Sequence, residues 1–131
     1  MTKKNIKQTT PPTTTFINNT KLYIYPNFGG CENPETCTVQ TPLQNAAGLI
    51  NNCSVYMADN IVTGQVESCV NAISCYQDFD ESTLIGNIYF SNSLPTDITQ
   101  ANNPNAIIEM ELDTSTNTIT FNLIPQKPRV L

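Results

Sequence analysis

Apolar and polar positions alternate most regularly over residues 105–124. Ile108, Met110 and Leu112 alternate with Ile107, Glu109 and Glu111; Ile119, Phe121 and Leu123 alternate with Thr118, Thr120 and Asn122. Successive side chains of a strand leave on opposite faces, so each run has one apolar face and one mostly polar face. The linker 113–117, Asp-Thr-Ser-Thr-Asn, is short and rich in turn formers. Together these features predict an antiparallel hairpin.

Shorter alternations predict further strands. Residues 21–25 set Leu22 and Ile24 against Tyr23 and Tyr25 and stop at Pro26. Residues 52–58 put Cys53, Val55 and Met57 on one face, and 66–77 read as one strand with room for a bulge. Residues 84–91 point Ile88 and Phe90 inward and Tyr89 outward. Residues 27–42, with Gly29-Gly30, Pro34 and Pro42, and residues 94–104, with Pro95 and Pro104, read as loops. Residues 43–50 are ambiguous: Leu43, Ala46, Ala47 and Ile50 have helical spacing, but Gly48 and the short length weaken a helix. Even spacing of the strands predicts an all-β fold, a single antiparallel sandwich, jelly-roll-like, or a small barrel of about six to eight strands. Residues 1–16 are a low-complexity segment of Lys, Gln, Thr and a Pro pair, expected to be a flexible or polyproline-like arm. The β domain is expected over 17–124, and 125–131, with Pro125 and Pro128, as an extended tail.

Composition narrows the picture. A chain of 131 residues is one domain by length and can bury a core of its own. Only 13% of residues are charged, with Thr and Asn in their place, and nine Pro argue against long helices. All eleven acidic residues lie between Glu32 and Asp113, a stretch without a base; Lys3, Lys4, Lys7 and, nearest to it, Lys21 stand before it, Lys127 and Arg129 after. An acidic body repels phosphate, which leaves the basic N-terminal arm as the one place for nucleic acid. No apolar run is long enough for a membrane helix. The basic start runs into Gln-Thr-Thr-Pro-Pro where a secretory signal needs an apolar core, so none is recognised.

Five cysteines admit two readings. Cys31–Cys37 and Cys69–Cys75 share one spacing and are candidate local disulfides, Cys31–Cys37 the better because Pro34 can bend its loop; Cys53 is then left for a cross-link between chains. Alternatively all five are reduced core thiols. On one extended strand, Cys69 and Cys75 would stand roughly 20 Å apart and could not bond.

Catalytic chemistry finds little footing. There is no His, so Ser and Cys triads of the usual kind and the common zinc sets are absent. Asp78, Asp80 and Glu81, close together in an expected turn, are the calcium candidate, without the EF-hand pattern; an acidic solvated turn is the plainer explanation. Glu109, Glu111 and Asp113 form an acidic stripe, and paired carboxylates can cleave glycosides, but an outward sheet face better suits solubility or a basic arm. No cofactor motif is present. Sequons at Asn18-Asn19-Thr20 and Asn52-Cys53-Ser54 matter only on an exported chain. Tyr23, Tyr25, Tyr56, Tyr76 and Tyr89 fall in or near strands and, if exposed together, would offer a sugar- or protein-binding face.

Residues 55–64, Val-Tyr-Met-Ala-Asp-Asn-Ile-Val-Thr-Gly, followed by Cys75-Tyr76, look like the dirigent-protein segment in which a strand enters a D-N-x-x-T turn before a second strand. The resemblance implies an eight-stranded antiparallel barrel and carries over no site residues.

These features together lead to the expectation of a non-enzymatic structural subunit of a larger assembly, in a virion or outside the cell. A viral coat component (minor capsid or decoration protein) or an appendage or filament subunit fits, its partners being other copies of itself or other coat or filament proteins, not a membrane. The alternative is a small β-barrel binding module for a carbohydrate or small apolar ligand. Contacts between chains are expected at Lys3, Lys4, Lys7, Cys53, Glu109, Glu111, Lys127 and Arg129, with the acidic face of the hairpin receiving a basic arm.

Overall fold

The computed structural model describes residues 11–31, 49–50, 61–77 and 83–126. Among them, eight strands of six to eight residues and one of two residues make an all-β, sandwich-like fold. They are β1 (Thr13–Asn18), β2 (Ile24–Gly29), β3 (Leu49–Ile50), β4 (Ile61–Val66), β5 (Ala72–Gln77), β6 (Leu84–Ser91), β7 (Leu94–Gln100), β8 (Ala106–Asp113) and β9 (Thr118–Pro125). One sheet has the order β3-β4-β1-β9-β8, the other β2-β5-β6-β7. Pairing is antiparallel except for β1 with β9 and β3 with β4, which are parallel.

β1 begins inside the segment read from composition as an arm. Thr14, Phe16 and Asn18 turn inward while Thr13, Thr15 and Ile17 turn outward, and the strand is held between β4 and β9. Threonine is a good strand residue, and the run of Thr hid a period of two. After β1 the chain crosses to the other sheet through a buried polar turn. The Asn18 side chain donates to the Leu22 carbonyl at 2.8 Å and accepts from the Thr20 amide and hydroxyl, and the Leu22 amide donates to the Thr20 hydroxyl. The first sequon therefore has its Asn buried and fully engaged.

Pro26 does not stop a strand; it lies inside β2, buried opposite Cys75. β2 is a sheet edge, where a residue without an N–H is tolerated. The single strand expected over 66–77 is two strands separated by a turn at 67–71. The loop expected over 94–104 is largely β7, joined to β6 by Asn92 and Ser93, both at positive φ as a two-residue hairpin turn requires. Pro125 closes β9 opposite Ala106, so the tail starts one residue later than expected. The strand expected at 52–58 and the helix-like spacing at 43–48 lie outside the described residues. Of the dirigent-like segment, residues 61–64 belong to β4, and the strands form two separate sheets instead of one closed barrel.

Four phenylalanines join the sheets. Phe16 of β1 and Phe121 of β9 stack at 5.1 Å; Phe28 of β2 meets Phe16 edge-on, and Phe90 of β6 meets Phe121 the same way. Such contacts contribute about 0.5–1.5 kcal/mol each beyond area burial. Ile24, Ile73, Ile85, Ile88, Ile119 and Leu123 complete the filling. Thr14 is fully buried among these groups, and its hydroxyl has no hydrogen-bond partner.

Candidate functional site

The alternation in β8 would bury Ile108, Met110 and Leu112 together. The structure buries Ile108 alone: Met110 is 44% and Leu112 61% exposed. Their partners across the hairpin, Phe121 and Ile119, are buried. The difference comes from the opposite sheet. Among the described residues β8 and β7 are both sheet edges, and they are linked where Gln100 reaches across. Its side-chain amide accepts from the Ile108 N–H at 3.1 Å and donates to the Ile108 carbonyl at 2.7 Å. One glutamine thus does for Ile108 what a neighbouring strand would do. Gly86, beneath Gln100 on β6, permits this approach: a Cβ there would fall 2.6 Å from the Thr99 carbonyl oxygen and 3.0 Å from the Ile108 side chain.

Beyond Gln100, a groove of about 310 Å³ opens between the strands, lined by Pro95, Thr96, Asp97, Ile98 and Met110. Bonds in an antiparallel pair alternate in direction along the strand. Because Ile108 turns its N–H and C=O away from β9 toward Gln100, Met110 and Leu112, of the same parity, turn theirs to the same free edge. Exposed Leu94 adds apolar surface at the start of β7.

Glu109 and Glu111 are exposed on the outer face of this strand, as the alternation predicts. Asp113 ends it and shapes the turn: its carboxylate accepts from the Ser115 amide at 3.0 Å and the Ser115 hydroxyl at 2.6 Å. These bonds hold the Asp113 carboxyl below its usual pKa. Asn117, at φ 52°, completes the turn, and its carbonyl accepts from the Thr13 amide, which ties the start of β1 to the hairpin tip. Among the described residues, the site is a free strand edge with acid groups on one face and apolar groups on the other.

The cysteines combine parts of both readings: one disulfide forms, with a pairing that neither gave, and Cys75 is a reduced thiol in the core. Cys31 bonds to Cys69, with Cα atoms 5.1 Å apart, not to Cys37, and Cys69 does not bond to Cys75. Antiparallel pairing of β2 with β5 sets Gly29 opposite Ala72, which brings the residue following β2 beside the turn preceding β5. Gly30, at φ 108°, makes the close passage; a Cβ there would lie 2.8 Å from the Asn71 nitrogen and closer to the Cys69 carbonyl. Cys75 is a buried thiol whose pKa burial raises to about 12, so it is poorly reactive. Glu67 lies beside the Cys31–Cys69 sulfurs, but these are bonded to each other and offer no thiolate to a metal.

Cys37, Cys53, the calcium candidates Asp78, Asp80 and Glu81, and the cations Lys3, Lys4, Lys7, Lys127 and Arg129 lie outside the described residues, as does Tyr56. The tyrosines do not gather on one site: Tyr25 and Tyr76 pair at one end of the β2–β5–β6 surface, while Tyr89 stands at the other, opposite Asp97 and Ala72. Gln100, Leu94 and the groove were missed from sequence, because an edge strand with little burial leaves no periodic signal. No family model, curated protein or solved structure matches the chain.

Proposed function

We propose that this protein is a non-enzymatic structural subunit of a larger protein assembly, joined to its neighbours through the outer half of β8. The observation that carries the proposal is the free edge at Met110 and Leu112, with apolar side chains exposed on one face and Glu109, Glu111 and Asp113 at the other. An unpaired edge with exposed apolar groups is a template for pairing with another chain, and proteins that stay single cover or blunt such edges. Here the covering stops at Gln100. The acidic groups favour a basic partner, and basic residues are gathered at the two ends of this same chain.

A coat component of a virus particle, or an appendage or filament subunit, is the reading that best unites an edge-on interface, a Thr- and Asn-rich sheet scaffold and few charged groups. The Cys31–Cys69 bond fits an assembly completed in oxidising surroundings, such as a virion or the cell exterior. The barrel-type binding module has less support, since the phenylalanines fill the space between the sheets.

Size-exclusion chromatography with light scattering on the full chain is the test. Assembly at low salt that weakens as salt rises is expected. A monomer at every salt and protein concentration overturns the reading.

A further inference from the structure

The open edge and the sequence of residues 1–7 match in three respects. The segment Met-Thr-Lys-Lys-Asn-Ile-Lys has no proline, so every residue after the first can donate to a sheet ladder. Drawn as a strand, it puts Lys3, Asn5 and Lys7 on one face and Thr2, Lys4 and Ile6 on the other. Lys3 and Lys7 are four residues apart, as are Glu109 and Asp113.

Resting on the assembly reading, we propose that residues 1–7 of a second copy of this chain add to the free edge of β8 as an antiparallel strand. Lys7 then stands opposite Glu109, Asn5 opposite Glu111, Lys3 opposite Asp113, and Ile6 opposite Met110. This register gives the open N–H and C=O groups of Met110 and Leu112 their partners in Ile6 and Lys4. Ile6 enters the groove beside Pro95, Ile98 and Met110. Lys3 and Lys7 each meet a carboxylate at cross-strand distance, where opposite charges attract. Gln100 sets the inner limit of the added strand, because it already occupies Ile108.

The occupant comes from another copy for a geometric reason. The sheet order places an added strand three spacings from β1, and Lys7 opposite Glu109 stands at the level of Ile17, four residues along β1 from Thr13. That separation is roughly 20 Å by the strand spacing and rise. The chain is already placed at Pro11, and the four residues from there to Lys7 reach only roughly 14 Å when fully extended. The chain is also drawn the other way: the Pro11 carbonyl accepts from the Gln65 side chain on β4, at 3.1 Å, on the side of β1 away from β8.

Charge reversal with rescue tests the register. In the full chain, Lys7→Glu and Glu109→Lys are each expected to raise the dissociation constant of assembly at least tenfold, and the double variant to recover most of that loss. Two single reversals that leave assembly unchanged, or a double variant no better than either single one, overturn the register. Mixing Ile6→Cys protein with Met110→Cys protein under oxidising conditions tests the occupant. Mass spectrometry is expected to find a 6-to-110 peptide joining two copies; none in an assembled sample overturns the proposal. A full chain that assembles normally in all these variants leaves the assembly reading standing and removes this one, whereas an unsubstituted chain that never assembles removes the assembly reading itself.

Discussion

Met110 and Phe121 face each other across one hairpin, on the same side of the same sheet, yet Phe121 is fully buried and Met110 is nearly half exposed. Their strands have the same period and the same length. What differs is cover. Phe121 lies on an interior strand, flanked by β1 and β8, and is met from the other sheet by Phe90. Met110 lies on the edge strand and borders the open groove it shares with β7. Alternation therefore tells which face a side chain takes, while strand order decides whether anything covers that face.

Substitution separates the two positions most sharply. Phe121→Ala should cost about 3–5 kcal/mol in a urea or thermal melt, the range for deleting a buried aromatic ring. Loss of the Cys31–Cys69 bond tests the stapled side of the molecule. Cys69→Ser should lower stability by about 2–4 kcal/mol, since the bond closes a long loop in the unfolded chain. A melt unchanged by reducing agent would contradict that. Alkali tests the buried core chemically. Folded Cys75 keeps its proton to about pH 12, whereas in the unfolded chain it loses it near the ordinary value of 9.0. Its contribution is thus fully present below pH 9 and is lost as pH rises toward 12. Cys75→Val should flatten that decline in melts taken across the window. Thr14→Val should raise stability by about 1 kcal/mol, because a buried hydroxyl without a partner is replaced by a methyl group. The smallest effect is the sharpest contrast: Met110→Ala should change the melt by less than about 0.5 kcal/mol, the ordinary range for surface positions. A loss near that of Phe121→Ala would mean that the rim is part of the core.

The hairpin 105–124 was legible because both strands alternate cleanly and the turn residues are diagnostic. The all-β class followed from it and from 84–91, where Ile88 and Phe90 point inward as expected. Strand β1, the part of β2 from Pro26 onward, and β7 were hidden for separate reasons: a threonine run, an edge proline, and a strand with almost no buried face. The acidic stripe was legible because charge is local. The free edge was not, since it depends on which strand stands last in the sheet. The disulfide was hidden as well. Spacing favours nearby cysteines, while Cys31 and Cys69 meet only because β2 pairs with β5.

The parallel pairing of β1 with β9 also constrains the time course of folding. Thr13 takes its place beside Thr118, and Phe16 beside Phe121. Between these partners lies most of the chain, so the contact order is high and folding is expected to be slow for the size. While the ribosome is still making β9, the first strand has β4 alone on one flank and an unpaired ladder on the other. The earliest strand made waits for the last, and until then its open side is exposed to whatever else is nearby.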